Sequence, residues 1–300
     1  MKVVVGASSF ASDSNKAINL LLDKGIQVVK NPYGRKMTEE EIISHLTDAD
    51  GLLAGLEPLN ETVLSASPSL KAIARIGIGM DNVDMEAAKR HGIKVSNTPD
   101  GPTDAVAEMV LGALLAIERQ IIYANQDMHN KKWEKRIGIS LRGLNVLIVG
   151  YGHIGKKVAE LLKYMGVNIF VYDRFQPDLN NVSTLEEGIA KADVISLHAS
   201  GKEEILTPEM FQIMRKDIVI LNSARGGLIN EDALYSSLKN GTVSAFWGDV
   251  FWEEPYTGKL TECENAILTP HISTYSKQCR EAMETEAVIN LLRDLGYGEK

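Results

Sequence analysis

The chain has 300 residues, 44% of them hydrophobic and 24% charged, an ordinary globular composition with enough length for two domains that each bury a core. Its net charge of −8 provides no basic field for a nucleic acid or an acidic membrane surface, and no stretch reaches the roughly 18 to 20 apolar residues of a membrane span. Cys263 and Cys279 are its two cysteines and form no CxxC or metal-like cluster, so free thiols, a reducing cytoplasmic setting and no metal site are expected. The opening Met1-Lys-Val-Val-Val-Gly6 is too short an apolar run for a signal peptide and reads as a strand.

In chain order, residues 3–5, 26–29, 51–54, 72–75 and 93–95 read as apolar strands, and 15–23, 38–46, 60–65 and 84–91 as the helices between them. Such alternation implies a small doubly wound parallel sheet. Arg75-Ile-Gly77-Ile-Gly79-Met-Asp81 follows one of these strands. Ligands of open α/β sheets lie beyond strand carboxyl ends, so Arg75 and Gly77 are candidate substrate contacts; the plainer reading is a flexible connector. Asn97-Thr-Pro-Asp-Gly-Pro-Thr103 is dense in turn residues and marks a domain boundary. One long helix is expected from 104 to 130, followed by the basic run Lys131-Lys-Trp133-Glu-Lys135-Arg136, which reads as a solvated face around a packed tryptophan.

The most informative stretch runs from Leu144 to Asp173. The apolar segment 145–149 suits a buried parallel strand. It ends in Gly150-Tyr-Gly152-His153-Ile154-Gly155, and Ile154, Val158, Leu161, Leu162 and Met165 then recur at helical spacing. In such a GxGxxG turn the first glycine permits the bend, the second admits a pyrophosphate, and the third lets helix and strand pack closely. The helix N-terminus offers its unpaired N–H groups and positive dipole end to the phosphates. A second apolar strand, 168–172, ends on Asp173. An acid there accepts from the adenosine ribose hydroxyls and repels a 2′-phosphate, which points to NAD rather than NADP.

Strands are expected again at 194–197, 218–221, 243–247 and 266–268, with helices near 208–214 and 231–239. A final helix, 276–295, has no further sheet to join in the second domain and is expected to pack on the first. Three polar patches close predicted strands: Asn222-Ser-Ala-Arg225-Gly226-Gly227, Asp249-Val-Phe-Trp-Glu253-Glu254-Pro255 and Pro270-His271-Ile-Ser273. Hydride transfer to a 2-oxo acid needs a cation for the carboxylate and a proton donor for the carbonyl oxygen. Arg225 offers the cation, His271 the acid, and a carboxylate beside the histidine would fix its tautomer.

With these patches in place the chain resembles the D-isomer-specific 2-hydroxyacid dehydrogenase family, closest to the short D-3-phosphoglycerate dehydrogenase-like members without a regulatory domain. The likeness runs through Arg75 to Asp84, Ala105-Val-Ala-Glu108, the glycine turn with Asp173, Ala224 to Asn230, Asp249-Val-Phe with Glu254-Pro255, and Pro270-His271. It implies two α/β doubly wound parallel-sheet domains: a flavodoxin-like substrate domain (1–97 plus 272–300) and an inserted Rossmann NAD-binding domain (98–271). It also implies a homodimer contact through the helix after Asn97. By resemblance Arg225, Glu254 and His271 are catalytic, Glu254 being chosen over Glu253 because it directly precedes the proline. Cofactor contacts fall on Gly150, Gly152, His153, Ile154, Gly155, Asp173, His198, Ala224 and Asp249, the last toward the nicotinamide carboxamide. Substrate contacts fall on Arg75, Gly77 and Arg225. His198-Ala-Ser-Gly-Lys202 departs from the family in lacking a proline after the histidine.

The implied activity is NAD-dependent interconversion of a D-2-hydroxy acid and its 2-oxo acid, with 3-phosphoglycerate and 3-phosphohydroxypyruvate as the first pair. The alternatives are a small unphosphorylated acid such as glyoxylate or hydroxypyruvate, or a non-catalytic NAD-sensing binding protein of the same fold. Formate dehydrogenases of similar fold carry Gln where Glu254 stands, which argues against formate.

Overall fold

The computed structural model describes residues 1–99, 101–201 and 203–297. Asp100 of the expected boundary, Lys202 of the 198–202 loop and positions 298–300 of the expected substrate domain lie outside the described residues. The backbone divides into two compact units, Met1–Pro102 with Tyr275–Lys300, and Thr103–Thr274. These divisions fall at 102 and 274, against the 97 and 271 expected.

The first unit alternates β1 (Lys2–Val5), α1 (Lys16–Leu22), β2 (Gln27–Val29), α2 (Glu39–His45), β3 (Gly51–Ala54), α3 (Glu61–Ser65), β4 (Ala72–Arg75), α4 (Met85–Arg90) and β5 (Lys94–Ser96). The strands form one parallel sheet in the order β2-β1-β3-β4-β5. Val3 to Val5 and Leu52 to Ala54 are fully buried, as strands covered on both faces must be. Polar caps start the helices where the sequence supplies them. Thr38 and Glu41 form a reciprocal capping box on α2, and Asn60 and Asp84 accept the N3 amides of α3 and α4. Each such cap contributes about 1 kcal/mol.

The C-terminal helix, which becomes α11 (Lys277–Asp294) once the second unit is counted, packs on α1, β3, β4 and β5. Gly51 makes the close approach possible, since a Cβ there would sit 3.0 to 3.2 Å from the Leu295 and Leu291 side chains.

All but the first residue of α5 (Pro102–Glu118) belongs to the second unit, and α6 (Ile121–His129) follows it. One continuous helix was expected here, and the structure breaks it at Gln120, whose φ is +56°. The cause is tertiary: the Glu118 carbonyl accepts from Ile139 N at 2.7 Å, and Gly138 packs so closely on Glu118 and Arg119 that no Cβ would fit. Trp133, expected to pack, is 77% exposed.

Then follow β6 (Asn145–Val149), α7 (His153–Tyr164), β7 (Asn168–Tyr172), α8 (Leu185–Lys191), β8 (Val194–Leu197), α9 (Pro208–Gln212), β9 (Ile218–Asn222), α10 (Glu231–Asn240), β10 (Val243–Gly248) and β11 (Ala266–Leu268). They make a six-stranded parallel sheet in the order β11-β10-β9-β8-β6-β7. Alternate residues feed two cores, Leu147, Val149, Ile195, Leu197 and Phe246 on one face and Val146, Ile148, Val194, Leu221 and Trp247 on the other. Burying one such side chain stabilises the fold by about 1.5 to 3 kcal/mol. The expectation of two parallel α/β sheets is thus met. Helix α8 was not anticipated, although Thr184, which caps it, stands three residues before Glu187 in a capping-box pattern.

Candidate active site

The strand order of the second sheet reverses at β6, between β7 and β8, and the glycine turn sits at that switch point, where open α/β sheets bind ligands. Gly150 has a φ of +91°, and a Cβ on it would lie 2.4 Å from Ala199 N. A Cβ on Gly155 would lie 2.1 Å from the Gly150 carbonyl oxygen, so this position seats the helix on the turn. Gly152, the N-cap of α7, would meet nothing within 4 Å. The open space over Gly152, before the first-turn residues His153 and Ile154, is a cradle for a pyrophosphate: the residues fit a dinucleotide.

Asp173, at the end of β7, is buried, and its carboxylate is held by three backbone N–H donors. Oδ2 accepts from Tyr151 in the glycine turn at 2.7 Å, and Oδ1 accepts from Phe175 and Gln176 at 2.8 and 3.0 Å. Asn180, which the sequence did not single out, accepts the Asp173 N–H at 2.6 Å. The neighbouring cation, Arg174, is paired with Glu203 at 2.5 Å and stacked on Phe175. Catalytic efficiency is therefore expected to be higher with NADH than with NADPH, and Asp173→Asn is expected to narrow the difference. Steady-state kinetics with both cofactors check this, and equal efficiencies in the parent would contradict it.

Next along the sheet, His198 follows β8. Its Nε2 lies 2.8 Å from Ser196 Oγ and its Nδ1 3.3 Å from Ser223 Oγ. Burial lowers its pKa to about 3, so the ring is neutral at ordinary pH. At the end of β9, buried Asn222 shapes the turn that carries Ala224 and Arg225. Its Oδ1 accepts from Ala224 N at 3.0 Å and its Nδ2 donates to the Arg225 carbonyl at 2.9 Å. The Arg225 guanidinium donates to the Ala224 carbonyl at 2.7 Å. Gly226 packs against the backbone of Phe251 and Trp252, where a Cβ would come within 2.1 to 2.4 Å, and this brings the Arg225 turn against the segment leading to Glu254.

Glu254 and His271 meet. The His271 Nδ1 lies 2.9 and 3.1 Å from the two carboxylate oxygens, and Glu254 Oε1 also accepts from Phe251 N at 3.2 Å. Both side chains are part-exposed, so the pair is open to a ligand. His271 adopts a left-handed backbone with φ +54°, a conformation that costs a non-glycine residue of order 1–3 kcal/mol and that surrounding structure must enforce. Asp249, expected by resemblance to face the nicotinamide carboxamide, has a carboxylate that accepts from the Thr269 hydroxyl and from the N–H groups of Ile272 and Ser273.

Arg75 and Gly77 lie at the end of β4 in the first unit. Arg75 Nη1 donates to the Ile76 carbonyl at 2.7 Å and covers Gly77, whose φ of +135° and lack of a Cβ leave the guanidinium its room. Gly77 and buried Thr98 exchange hydrogen bonds of 2.7 and 3.1 Å. Near this loop is a residue the sequence did not disclose, Glu57, with no solvent exposure. Burial raises its carboxyl pKa, opposed by the Gly55 N–H and by the charges of Arg75 and Lys36. Arg136, in the basic run after α6, is engaged by Asp127 at 2.6 Å and stacks over Tyr123.

A family model described as D-isomer specific 2-hydroxyacid dehydrogenase, NAD binding domain, matches residues 111–273. The chain is 33% identical over 294 residues to the hydroxypyruvate reductase of Thermotoga maritima, covering 94% of this chain and 95% of that protein. It is 36% identical over 264 residues to the D-3-phosphoglycerate dehydrogenase of Methanocaldococcus jannaschii, which takes in 83% of this chain but spans only 50% of the relative's length. The crystal structure of a Thermus thermophilus protein superposes with a TM-score of 0.89 at 30% identity, over 100% of this chain and 98% of that one. The glycine turn, the acid that ends β7 and these matches agree on an NAD-binding unit. The chain belongs to the D-isomer-specific 2-hydroxyacid dehydrogenase family.

Proposed function

We propose that this protein reduces a 2-oxo acid to the D-2-hydroxy acid, and runs the reverse oxidation, with Arg225, Glu254 and His271 as the working residues. The observation that carries the reading is the pair of His271 Nδ1 with the Glu254 carboxylate at 2.9 Å, beyond the same strand ends as the Arg225 turn and the glycine cradle. Bound NADH supplies the hydride. Arg225 receives the substrate carboxylate through its planar fork and orients the carbonyl. His271 gives the proton on Nε2 to the carbonyl oxygen as negative charge develops there. Glu254, on the opposite ring nitrogen, fixes the tautomer and the orientation of the ring. In the oxidative direction His271 takes the hydroxyl proton. Cofactor contacts are assigned to Gly150, Gly152, His153, Ile154, Gly155, Asp173, His198, Ala224 and, toward the carboxamide, Asp249.

The leading substrate pair is 3-phosphoglycerate and 3-phosphohydroxypyruvate, with Arg75 as the cation for the second anionic group and Gly77 shaping its loop. D-3-Phosphoglycerate dehydrogenases among the relatives support this reading. Hydroxypyruvate is the second reading, favoured by the relative matched over nearly its whole length. Comparing kcat/KM for phosphohydroxypyruvate and hydroxypyruvate separates the two. A charge-assisted contact is worth roughly 1.5–3 kcal/mol, so the phosphorylated acid is expected to lead by about 10- to 150-fold and Arg75→Ala to abolish the lead. If the parent shows no preference, or the substitution lowers both values equally, the phosphorylated reading is wrong.

The proposal includes a cytoplasmic homodimer. Ile121, Met128, Trp133, Ile137 and Ile139 are exposed along one short segment of the second unit, an apolar concentration suited to a partner subunit. Cys263 and Cys279, both free and buried, are compatible with a reducing compartment.

A further inference from the structure

Strand β11 ends at Leu268, and Thr269 extends its pairing by one hydrogen bond to the Gly248 carbonyl, 3.0 Å. The chain then reverses within two residues. His271 N donates to the Thr269 carbonyl at 2.9 Å, which closes a tight turn over Pro270, and His271 takes its positive φ. Neither Pro270 nor the turn hydrogen bond explains why a histidine holds a conformation that usually requires glycine.

The buried carboxylate of Asp249 supplies the missing constraint. It is 1% exposed and lies one residue beyond β10. Oδ1 accepts from Thr269 Oγ1 at 2.6 Å and from Ile272 N at 2.9 Å, and Oδ2 accepts from Ser273 N at 2.8 Å. These donors stand two residues before His271 and one and two residues after it. Thr269 Oγ1 is fixed in turn by Trp247 Nε1 at 3.2 Å, and Asp249 N donates to the Asn222 carbonyl at 3.0 Å. A buried charge must be met by donors. Here both flanks of the loop turn their donors inward to meet it, and His271 at the apex is left directed at Glu254.

We propose that Asp249 is a positioning residue: it clamps the 269–273 loop in the turn that seats the His271 imidazole on Glu254. The role is distinct from the carboxamide contact expected by resemblance, and its consequence for turnover rests on the proposed acid role of His271. Asp249 acts through the His271–Glu254 pair and not on the reacting atoms.

The test compares Asp249→Asn, Glu254→Gln and the double variant in the full chain, saturated with NADH. The asparagine keeps the shape but replaces an acceptor with a donor that faces N–H groups. Turnover is expected to fall by about 10²-fold in Asp249→Asn, the lower end of what general acid catalysis contributes. The NADH dissociation constant, read by fluorescence titration, is expected to stay within about threefold of the parent. Because both substitutions act on one pair, the double variant is expected to be about as slow as the slower single variant and not the product of both effects. Thr269→Val, which removes one donor and leaves the charge paired, is expected to show a smaller loss in the same direction.

The imidazole resonances of His271, followed by NMR, provide a readout that needs no turnover: those of Asp249→Asn are expected to move toward those of Glu254→Gln. If the parent reduces no 2-oxo acid, the catalytic reading fails and the resonances still decide the clamp. Multiplying effects in the double variant, unmoved His271 resonances, or weakened NADH binding with unchanged turnover would each overturn the proposal. Should Asp249→Asn not fold, a Thr269→Val variant with parental turnover and parental His271 resonances would overturn it as well.

Discussion

Replacing His271 with alanine is expected to lower the turnover number for 2-oxo acid reduction by about 10² to 10⁴ while leaving the NADH dissociation constant nearly unchanged. The asymmetry follows from where the interaction acts. In the proposed mechanism the proton passes from the imidazole only as the carbonyl oxygen gains charge, so its loss is expected in the transition state and not in the ground state. The glycine cradle belongs to β6 and α7, apart from the 269–273 loop, so the cofactor's phosphate contacts survive. A general loss of folding would lower kcat and weaken NADH binding together. Stopped-flow turnover combined with fluorescence titration distinguishes these outcomes, and parental turnover would remove His271 from the chemistry.

The second large effect is expected at Arg225. Arg225→Gln keeps a polar side chain of similar reach but removes the charge and the two-pronged donor geometry. Truncating one partner of a hydrogen-bonded charge pair costs roughly 2–5 kcal/mol, so kcat/KM for the 2-oxo acid should fall by about 30- to 5,000-fold. Arg225→Lys restores the charge without the fork and is expected to recover only part of the loss. Most of the change should appear in KM if the carboxylate is held equally in ground and transition states, and in kcat to the extent that Arg225 also polarises the carbonyl. A parental kcat/KM in Arg225→Gln would mean that the substrate carboxylate is bound elsewhere.

Much of this organisation is legible in the chain because parallel strands covered on both faces must be continuously apolar. The strands 51–54, 145–149 and 168–172 stand out on that basis and occur with those limits. The glycine turn is legible because backbone closeness leaves no alternative residue at Gly150 and Gly155, and the Glu254–His271 pair through the resemblance, which singles out the carboxylate that directly precedes Pro255. What was not legible depends on distant contacts. Gln120 is an ordinary helix residue between Ile117 and Ile121, and it breaks the helix only because Gly138 and Ile139 arrive from later in the chain. Trp133 sits in a charged run that conceals its exposure. The burial of Glu57 against Gly6 and the partners of Asp249 emerge only when separate strand ends are brought together, since local sequence holds no signal for what a carboxylate packs on or accepts from at a distance.

The most direct measurement of the central claim is absorbance-monitored NADH oxidation by the purified protein with phosphohydroxypyruvate, hydroxypyruvate and glyoxylate, followed by chiral analysis of the product. The structure predicts turnover with at least one of these acids, a D-configured 2-hydroxy acid as the product, and loss of that turnover in His271→Ala. NADH binding without oxidation by any of the three would contradict it and leave an NAD-sensing binding protein in place of a dehydrogenase.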